Sequence, residues 1–102
     1  MSRYEVFLTK QALVDVEHLQ NYLAEQNNPL QTDLLDFMIE AINILERQPG
    51  IGRPVEDGLR ELIIERGRTG YLAKYSIDRD APAVRILRLR HQKEIGYPLK
   101  RN

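Results

Sequence analysis

The first half of the chain repeats its apolar residues every three or four positions, which is the period of an amphipathic helix. Thr9 offers an N-cap for a first helix that runs to about Gln26. The pattern resumes after Asn28-Pro29, a cap followed by proline at the first helical position, and ends at Gln48-Pro49-Gly50. The predicted buried stripe consists of Ala12, Val16, Leu19, Leu23, Leu34, Met38, Ala41 and Leu45. Two helices joined by a short connection should pack antiparallel as a hairpin.

The remaining residues of the first helix divide between its two faces. Leu13 widens the predicted apolar stripe, whereas Asp15, Glu17 and His18 lie off it. We therefore expect an exposed His18 without a functional role, since a lone histidine on a polar face is usually a solvated side chain.

Elsewhere the period is two, which is typical of strands. Tyr4–Leu8 is predicted as a strand, the Gly- and Pro-rich residues 49–54 as a loop, and Leu59–Glu65, Tyr71–Asp78 and Ala83–Leu89 as three further strands. Their short connections predict an antiparallel meander. Residues that share one face of its middle strand are Tyr71, Ala73, Tyr75 and Ile77. The expected fold class is α+β: an N-terminal strand, an antiparallel helix hairpin and a three-stranded antiparallel meander (β-α-α-β-β-β).

Composition limits the classes of protein that remain. The 102 residues are expected to form a single domain, with a tail from about residue 92 that is partly extended or a short helix. There is no cysteine and there are only two histidines, so no metal site and no cofactor are expected. No apolar run is long enough for a membrane-spanning helix, and the N-terminus does not resemble a secretory signal. A cytoplasmic protein without a membrane partner is the expectation.

Zero net charge conceals an uneven distribution. Residues 1–49 carry three basic and eight acidic groups, whereas residues 50–102 carry twelve basic and seven acidic ones. The basic C-terminal part could face a phosphate backbone or an acidic protein surface. It could equally serve only to solvate exposed strand edges. Overall neutrality disfavours a protein that depends on nonspecific nucleic-acid affinity.

The C-terminal residues form the only candidate for chemistry in the sequence. Arg88, Arg90, His91, Lys93 and Tyr97 offer groups that could hold a phosphate, donate a proton and stack on a base. Strand alternation places Arg88 and Arg90 on one face and His91 on the other. Residue types alone leave two interpretations open: a metal-independent ribonuclease, or arginines that bind an acidic partner while Tyr97 anchors the tail.

The order of elements resembles the RelE/ParE superfamily of toxins from type II toxin–antitoxin systems. The residues that carry this resemblance are Pro49, Gly52-Arg53-Pro54, Gly58-Leu59-Arg60-Glu61-Leu62, Gly70-Tyr71, Tyr75, Arg90-His91-Gln92-Lys93-Glu94 and Tyr97. The resemblance covers the chain from the first strand to about Tyr97. It implies a small cytosolic toxin, active in plasmid stabilisation or growth arrest, that a cognate antitoxin neutralises.

The two branches of the superfamily differ in target. RelE-like members cleave ribosome-bound mRNA, and His91, Arg90 and Tyr97 would then be the catalytic residues. Leu72, however, stands where these enzymes place an arginine that stabilises the transition state. Leu62, Ile63, Ile64 and Glu65 stand where they carry lysines. ParE-like members instead poison DNA gyrase without catalysis.

The sequence therefore favours the ParE-like branch. The resemblance then implies a contact surface for gyrase or the antitoxin, formed by Arg60, Arg88, Arg90, His91, Lys93 and Tyr97, with no catalytic residue. A ribosome-dependent mRNA endonuclease remains the alternative. A third possibility is a degenerate member that only binds its antitoxin and acts as co-repressor.

Overall fold

The computed structural model describes residues 3–28, 33–94 and 96–99. Its regular elements are strand β1 (Glu5–Leu8), helices α1 (Lys10–Glu25) and α2 (Leu34–Ile42), and strands β2 (Arg53–Pro54), β3 (Arg60–Arg66), β4 (Thr69–Asp78) and β5 (Ala83–His91). Short 3-10 segments lie at Asn43–Glu46, Pro49–Ile51 and Glu56–Gly58. Neither described helix combines the length and hydropathy needed to cross a membrane.

The strands form one sheet in the order β1-β5-β4-β3-β2. Strands β3, β4 and β5 are the predicted antiparallel meander, which confirms the α+β architecture. β1 joins this sheet by parallel pairing with β5. The prediction of a loop over 49–54 is wrong at its end, because Arg53–Pro54 pairs with Glu61 and Arg60 of β3 as a two-residue strand.

Helix α1 begins and ends as its sequence predicts. The Thr9 side chain accepts a hydrogen bond from the amide of Ala12 at 3.3 Å, so it is the N-cap. At the other end Asn27 takes a left-handed conformation (φ 53°), and the Asn28 amide donates to the Leu23 carbonyl at 2.9 Å. This arrangement satisfies a terminal carbonyl of the helix and turns the chain away from its axis.

Helix α2 is shorter than the pattern predicts. Its α-helical part ends at Ile42, and Asn43–Glu46 continues as a 3-10 turn rather than as α-helix to Gln48. Leu45 is nevertheless fully buried, so the apolar repeat identified the buried side chain but not the type of helix that carries it. The predicted start at Pro29 lies outside the described residues.

Both helices pack on one face of the sheet. The buried core contains Ala12, Val16, Leu19, Leu34, Met38 and Leu45 from the predicted stripe, together with Ile64, Tyr71, Ala73, Tyr75, Val84, Ile86 and Leu89 from the sheet. Leu23 and Ala41 are partly buried against it. Leu13 was expected to widen the stripe but is 44% exposed. We call the opposite side of the sheet the outer face.

Asp15 is the main departure from the predicted polar face of α1. β1 ends at Leu8, opposite Ile86, so the following residues of β5 have no described strand beside them. The Asp15 carboxylate lies along this edge, fully buried, and accepts the Leu89 amide at 2.9 Å and the Arg88 Nε at 2.9 Å. A carboxylate is stable there because it pairs with a cation and an edge amide.

A β-bulge determines which side chains of β5 reach the outer face. Tyr75 pairs with Ile86 and Lys74 pairs with Arg88, so Leu87 is the extra residue. Without it, Arg88 and Arg90 would share the face of Ile86 and enter the core. The bulge shifts the alternation, and both arginines lie on the outer face.

Candidate functional site

Three cations of the two central strands lie side by side on the outer face. Lys74 pairs with Arg88 across β4 and β5, and Leu72 pairs with Arg90 two residues further along. Side chains at directly paired positions stand on the same face and within contact distance. The register therefore brings Arg88 and Arg90 together with Lys74, which the sequence interpretation did not include.

Tyr97 of the C-terminal tail lies among these cations. Its ring centroid is 4.7 Å from the Lys74 Nζ, 5.0 Å from the Arg90 Cζ and 5.9 Å from the Arg88 Cζ. Cations at these distances from a tyrosine ring attract its electron-rich face. Arg90 also donates from Nη1 to the Glu94 carbonyl at 2.6 Å, so it holds the tail at two points. The described tail residues, 92–94 and 96–99, form turns and irregular structure without a helix.

Glu61 of β3 connects Tyr97 to Arg53 of the edge strand β2 across the outer face. This carboxylate is only 4% exposed. It accepts the Tyr97 hydroxyl at 2.8 Å and the Arg53 Nε at 3.0 Å. Burial raises the pKa of Glu61, but the hydrogen bonds from Arg53 and Tyr97 outweigh it and the net pKa is lowered. Glu61 is therefore an anion that fixes the phenol. We call Arg53, Glu61, Lys74, Arg88, Arg90 and Tyr97 the outer-face cluster.

Most of the positive charge in the outer-face cluster is already neutralised. Lys74 forms an ion pair with Glu56, and this contact lowers the pKa of the Glu56 carboxyl. Arg53 pairs with Glu61, and Arg88 pairs with the buried Asp15. Three of the four cations thus have a carboxylate partner, which leaves little uncompensated charge for a phosphate group.

His91 lies on the helix side of the sheet, away from the outer-face cluster. It pairs with Tyr71 across β4 and β5, and the two rings meet edge to face with centroids 5.4 Å apart. Its Nδ1 accepts the Lys93 amide at 3.1 Å, so the proton lies on Nε2, which donates to the Thr69 hydroxyl. Burial lowers the pKa of His91, and the charge of Lys93 adds to this effect against that of Glu94. Its ring edge borders a cleft shared with His18, which is exposed as expected.

The last two residues named in the sequence analysis also lie apart from the cluster. Arg60 pairs with Tyr75 and therefore belongs to the helix side. Its Nη1 donates to the carbonyls of Gly52 at 2.7 Å and Gly50 at 3.1 Å. Lys93 follows β5 and is exposed. Of the six predicted contact residues, the structure groups Arg88, Arg90 and Tyr97 in one cluster and places Arg60, His91 and Lys93 outside it.

Sequence reasoning missed Lys74, Glu61 and Arg53. A signal for Lys74 was present, because alternation puts it opposite Tyr75 and thus on the outer face with the arginines. No comparable signal exists for Glu61 and Arg53, whose contact depends on the unpredicted pairing of β2 with β3. Across the described ranges, no three His, Cys, Asp or Glu side chains converge as a metal ion would require.

The fold and the family match indicate the same class of protein. A strand, two helices and an antiparallel meander, with a tail tyrosine against the outer face, form the RelE/ParE-like α+β fold. Residues 6–96 match the family described as the ParE toxin of the type II toxin–antitoxin system parDE. The chain belongs to this ParE toxin family, and it is a type II toxin–antitoxin toxin.

Two solved structures illustrate the likeness. A chain of the chromosomal ParDE system from P. aeruginosa superposes with a TM-score of 0.71 at 20% identity, covering 87% of this chain and 96% of that one. A chain of the toxin–antitoxin complex RelBE2 from Mycobacterium tuberculosis gives 0.60 at 26% identity, covering 92% and 97%. No curated protein matches the sequence.

Proposed function

We propose that this toxin arrests growth by binding DNA gyrase and holding it with its DNA cut, without catalysing a reaction itself. The observation that carries the proposal is the separation of His91 from Arg90 and Tyr97 by the sheet. A nuclease needs its proton donor and its phosphate-binding groups around one reacting phosphate. Here the only histidine near the C-terminus faces the helices, and both of its nitrogens are occupied.

The chemistry of Tyr97 supports the same proposal. Burial raises the pKa of the Tyr97 phenol, and its hydrogen bond to Glu61 raises it further. The phenol therefore stays protonated at neutral pH and donates to Glu61, so it does not act as a base. Leu72 stands beside Arg90 on the outer face and has no group that could stabilise a pentavalent phosphate. The cluster is suited to contact rather than to catalysis.

A cognate antitoxin is the second partner in this proposal. Both structural neighbours named above come from toxin–antitoxin systems, and RelBE2 is such a complex. The basic C-terminal half of this chain would attract antitoxin carboxylates. Arg90 is the cation of the outer-face cluster for which the described residues show no carboxylate partner, so it gains most from an antitoxin carboxylate.

One observation favours the alternative, a ribosome-dependent mRNA endonuclease. Three cations of β4 and β5, Lys74, Arg88 and Arg90, surround the Tyr97 ring. Such a surface could hold a phosphate and stack a base. The ion pairs of Lys74 and Arg88 with carboxylates weaken this case. The potency of a gyrase poison and the activity of an mRNA nuclease also depend on different side chains, so substitutions can distinguish the two.

The test compares two substitutions that each remove a group needed for catalysis with one substitution that reverses a surface charge. His91→Ala and Tyr97→Phe remove a proton carrier and a hydroxyl, whereas Lys93→Glu reverses an exposed charge in the basic C-terminal segment. A gyrase poison should lose potency with Lys93→Glu and keep most of it with Tyr97→Phe, because the ring remains. Arg79→Glu, at the exposed turn between β4 and β5, is the matched control for charge reversal.

The readouts are gyrase-dependent DNA cleavage and ribosome-dependent mRNA cleavage with the same purified variants. Loss of mRNA cleavage by about 10²-fold or more in a folded His91→Ala protein would support the nuclease instead. A protein that binds its antitoxin but is inactive in both assays would contradict both mechanisms and would favour the degenerate, co-repressor possibility.

A further inference from the structure

The Gly-Pro loop, residues 49–54, contacts the sheet through two side chains of neighbouring strands. The buried Tyr75 donates its hydroxyl proton to the Pro49 carbonyl at 2.6 Å, and the Tyr75 hydroxyl oxygen accepts the Gly52 amide at 2.9 Å. Arg60, which pairs with Tyr75 across β3 and β4, binds the carbonyls of Gly50 and Gly52. Three residues of the loop are thus held at their backbone groups from the helix side.

Gly52 lies where no side chain fits. A Cβ atom there would stand 2.6 Å from the Tyr75 hydroxyl and 2.9 Å from the Glu61 carbonyl oxygen. Both distances are below van der Waals contact, and the second is to backbone, which cannot rotate away. The φ of Gly52, −69°, is open to any residue, so the glycine is required for space. The loop therefore lies directly against the strand that carries Glu61.

The residue after Gly52 reaches the outer face. Arg53 pairs with Glu61 across β2 and β3, and its guanidinium binds the Glu61 carboxylate. The other carboxylate oxygen accepts the Tyr97 hydroxyl at 2.8 Å. A continuous series of contacts thus runs from the buried Tyr75 through Gly52, Arg53 and Glu61 to Tyr97, from one side of the sheet to the other.

We propose that Tyr75 is a positioning residue for Tyr97, acting through the Gly-Pro loop and the Arg53–Glu61 pair. The phenol of Tyr75 fixes where β2 begins, and β2 fixes the guanidinium that orients Glu61. The proposal deepens the proposed function and rests on it only where Tyr97 is taken as part of the gyrase-binding surface. The contacts themselves do not depend on the target.

Tyr75→Phe tests the proposal because it keeps the ring and removes only the two loop hydrogen bonds. The readout is the pKa of the Glu61 carboxyl, followed by NMR, which the Arg53 bond now lowers. With Arg53 released, this pKa should rise, because the carboxylate loses the hydrogen bond and the charge of the guanidinium. Tyr71→Phe is the control, because Tyr71 is equally buried on the same strand and its hydroxyl bonds Arg66 instead.

A double-mutant cycle separates positioning from general loosening. In the Arg53→Ala background, Tyr75→Phe should leave the Glu61 pKa unchanged, since the contact through which it acts is gone. An unchanged Glu61 pKa in Tyr75→Phe alone, or an equal shift in Tyr71→Phe, would overturn the proposal. If Tyr75→Phe does not fold, Gly52→Ala displaces the loop from the other side and should raise the Glu61 pKa in the same way.

Potency in the gyrase cleavage assay is the functional readout. Tyr75→Phe should lower potency no further than Tyr97→Phe does, because Tyr75 acts on Tyr97 only through the Glu61 hydrogen bond that Tyr97→Phe removes, and Tyr71→Phe should leave potency unchanged. A loss of potency in Tyr75→Phe that clearly exceeds the loss in Tyr97→Phe would contradict a functional role confined to this positioning. If the parent protein does not act on gyrase, the proposed function fails, whereas the Glu61 titration still decides whether Tyr75 positions the cluster.

Discussion

Replacing Asp15 by alanine removes the carboxylate that covers the edge of β5 beyond Ile86, where the described residues place no strand. The hydrogen bonds lost include two from the Arg88 guanidinium, at 2.9 and 3.2 Å, and one from the Leu89 amide at 2.9 Å. Because Asp15 is fully buried, the alanine leaves a cavity without a group to replace them. Arg88 would then keep its charge with no carboxylate at its Nε.

The expected loss of stability follows from these contacts. Breaking one partner of a buried ion pair costs about 3–5 kcal/mol. The Arg88 side chain is 18% exposed and can recruit some water, so we expect the lower end, about 3 kcal/mol. A domain of this size loses roughly 4–8 °C of Tm per kcal/mol, so Tm should fall by at least about 12 °C.

Urea unfolding followed by circular dichroism measures this loss. Glu17→Ala, an exposed substitution on the same helix, is the control and should change stability by less than about 0.5 kcal/mol. Asp15→Asn, which keeps the shape and one acceptor, should fall between the two. A folded Asp15→Ala protein as stable as Glu17→Ala would refute the assignment of Asp15 as the partner of Arg88 and of the β5 edge.

Three further predictions concern the core, the histidine and the antitoxin. Met38→Ala or Leu19→Ala should cost about 2–5 kcal/mol in urea unfolding, by lost transfer energy plus cavity, and an unchanged midpoint would contradict the helix register. The folded pKa of His91 is lowered below its unfolded value of 6.5, so the unfolded chain binds the proton more readily. The contribution of His91 to the free energy of unfolding is complete above about pH 6.5 and is lost as the pH falls through the folded pKa. Urea unfolding over a series of pH values should show this loss in the parent protein and not in His91→Gln. Arg90→Glu should weaken antitoxin binding and reduce its salt dependence in calorimetry, whereas an unchanged salt slope would place the antitoxin elsewhere.

The sequence predicts what depends on local periodicity. The apolar repeat identified the buried side chains of both helices, and the Asn27-Asn28 break marks the end of α1, because these features depend on neighbours within a few turns. The same repeat did not distinguish α-helix from the 3-10 turn that carries Leu45, since both can bury that residue. The parallel pairing of β1 with β5 was also not predicted, because it joins residues far apart in sequence.

The outer-face cluster was predicted in part for the same reason. Alternation placed Arg88 and Arg90 on one face and His91 on the other, and the bulge at Leu87 is what keeps that face out of the core. The burial of Asp15 escaped prediction because it depends on where β1 ends beside β5. The position of Asp15 on a helix gives no indication that it will lie opposite a strand edge whose amides need an acceptor.

The proposed toxin acts on gyrase as a binding partner and not as an enzyme. The most direct measurement incubates the purified protein with gyrase, ATP and plasmid DNA and quantifies gyrase-linked, cleaved DNA, with programmed ribosomes and mRNA in parallel. We expect cleaved DNA to accumulate in proportion to the toxin bound to gyrase, the mRNA to stay intact, and His91→Ala to retain this effect. The proposal would be contradicted if the plasmid stayed intact while each toxin molecule cleaved many mRNA molecules, and if His91→Ala abolished that cleavage.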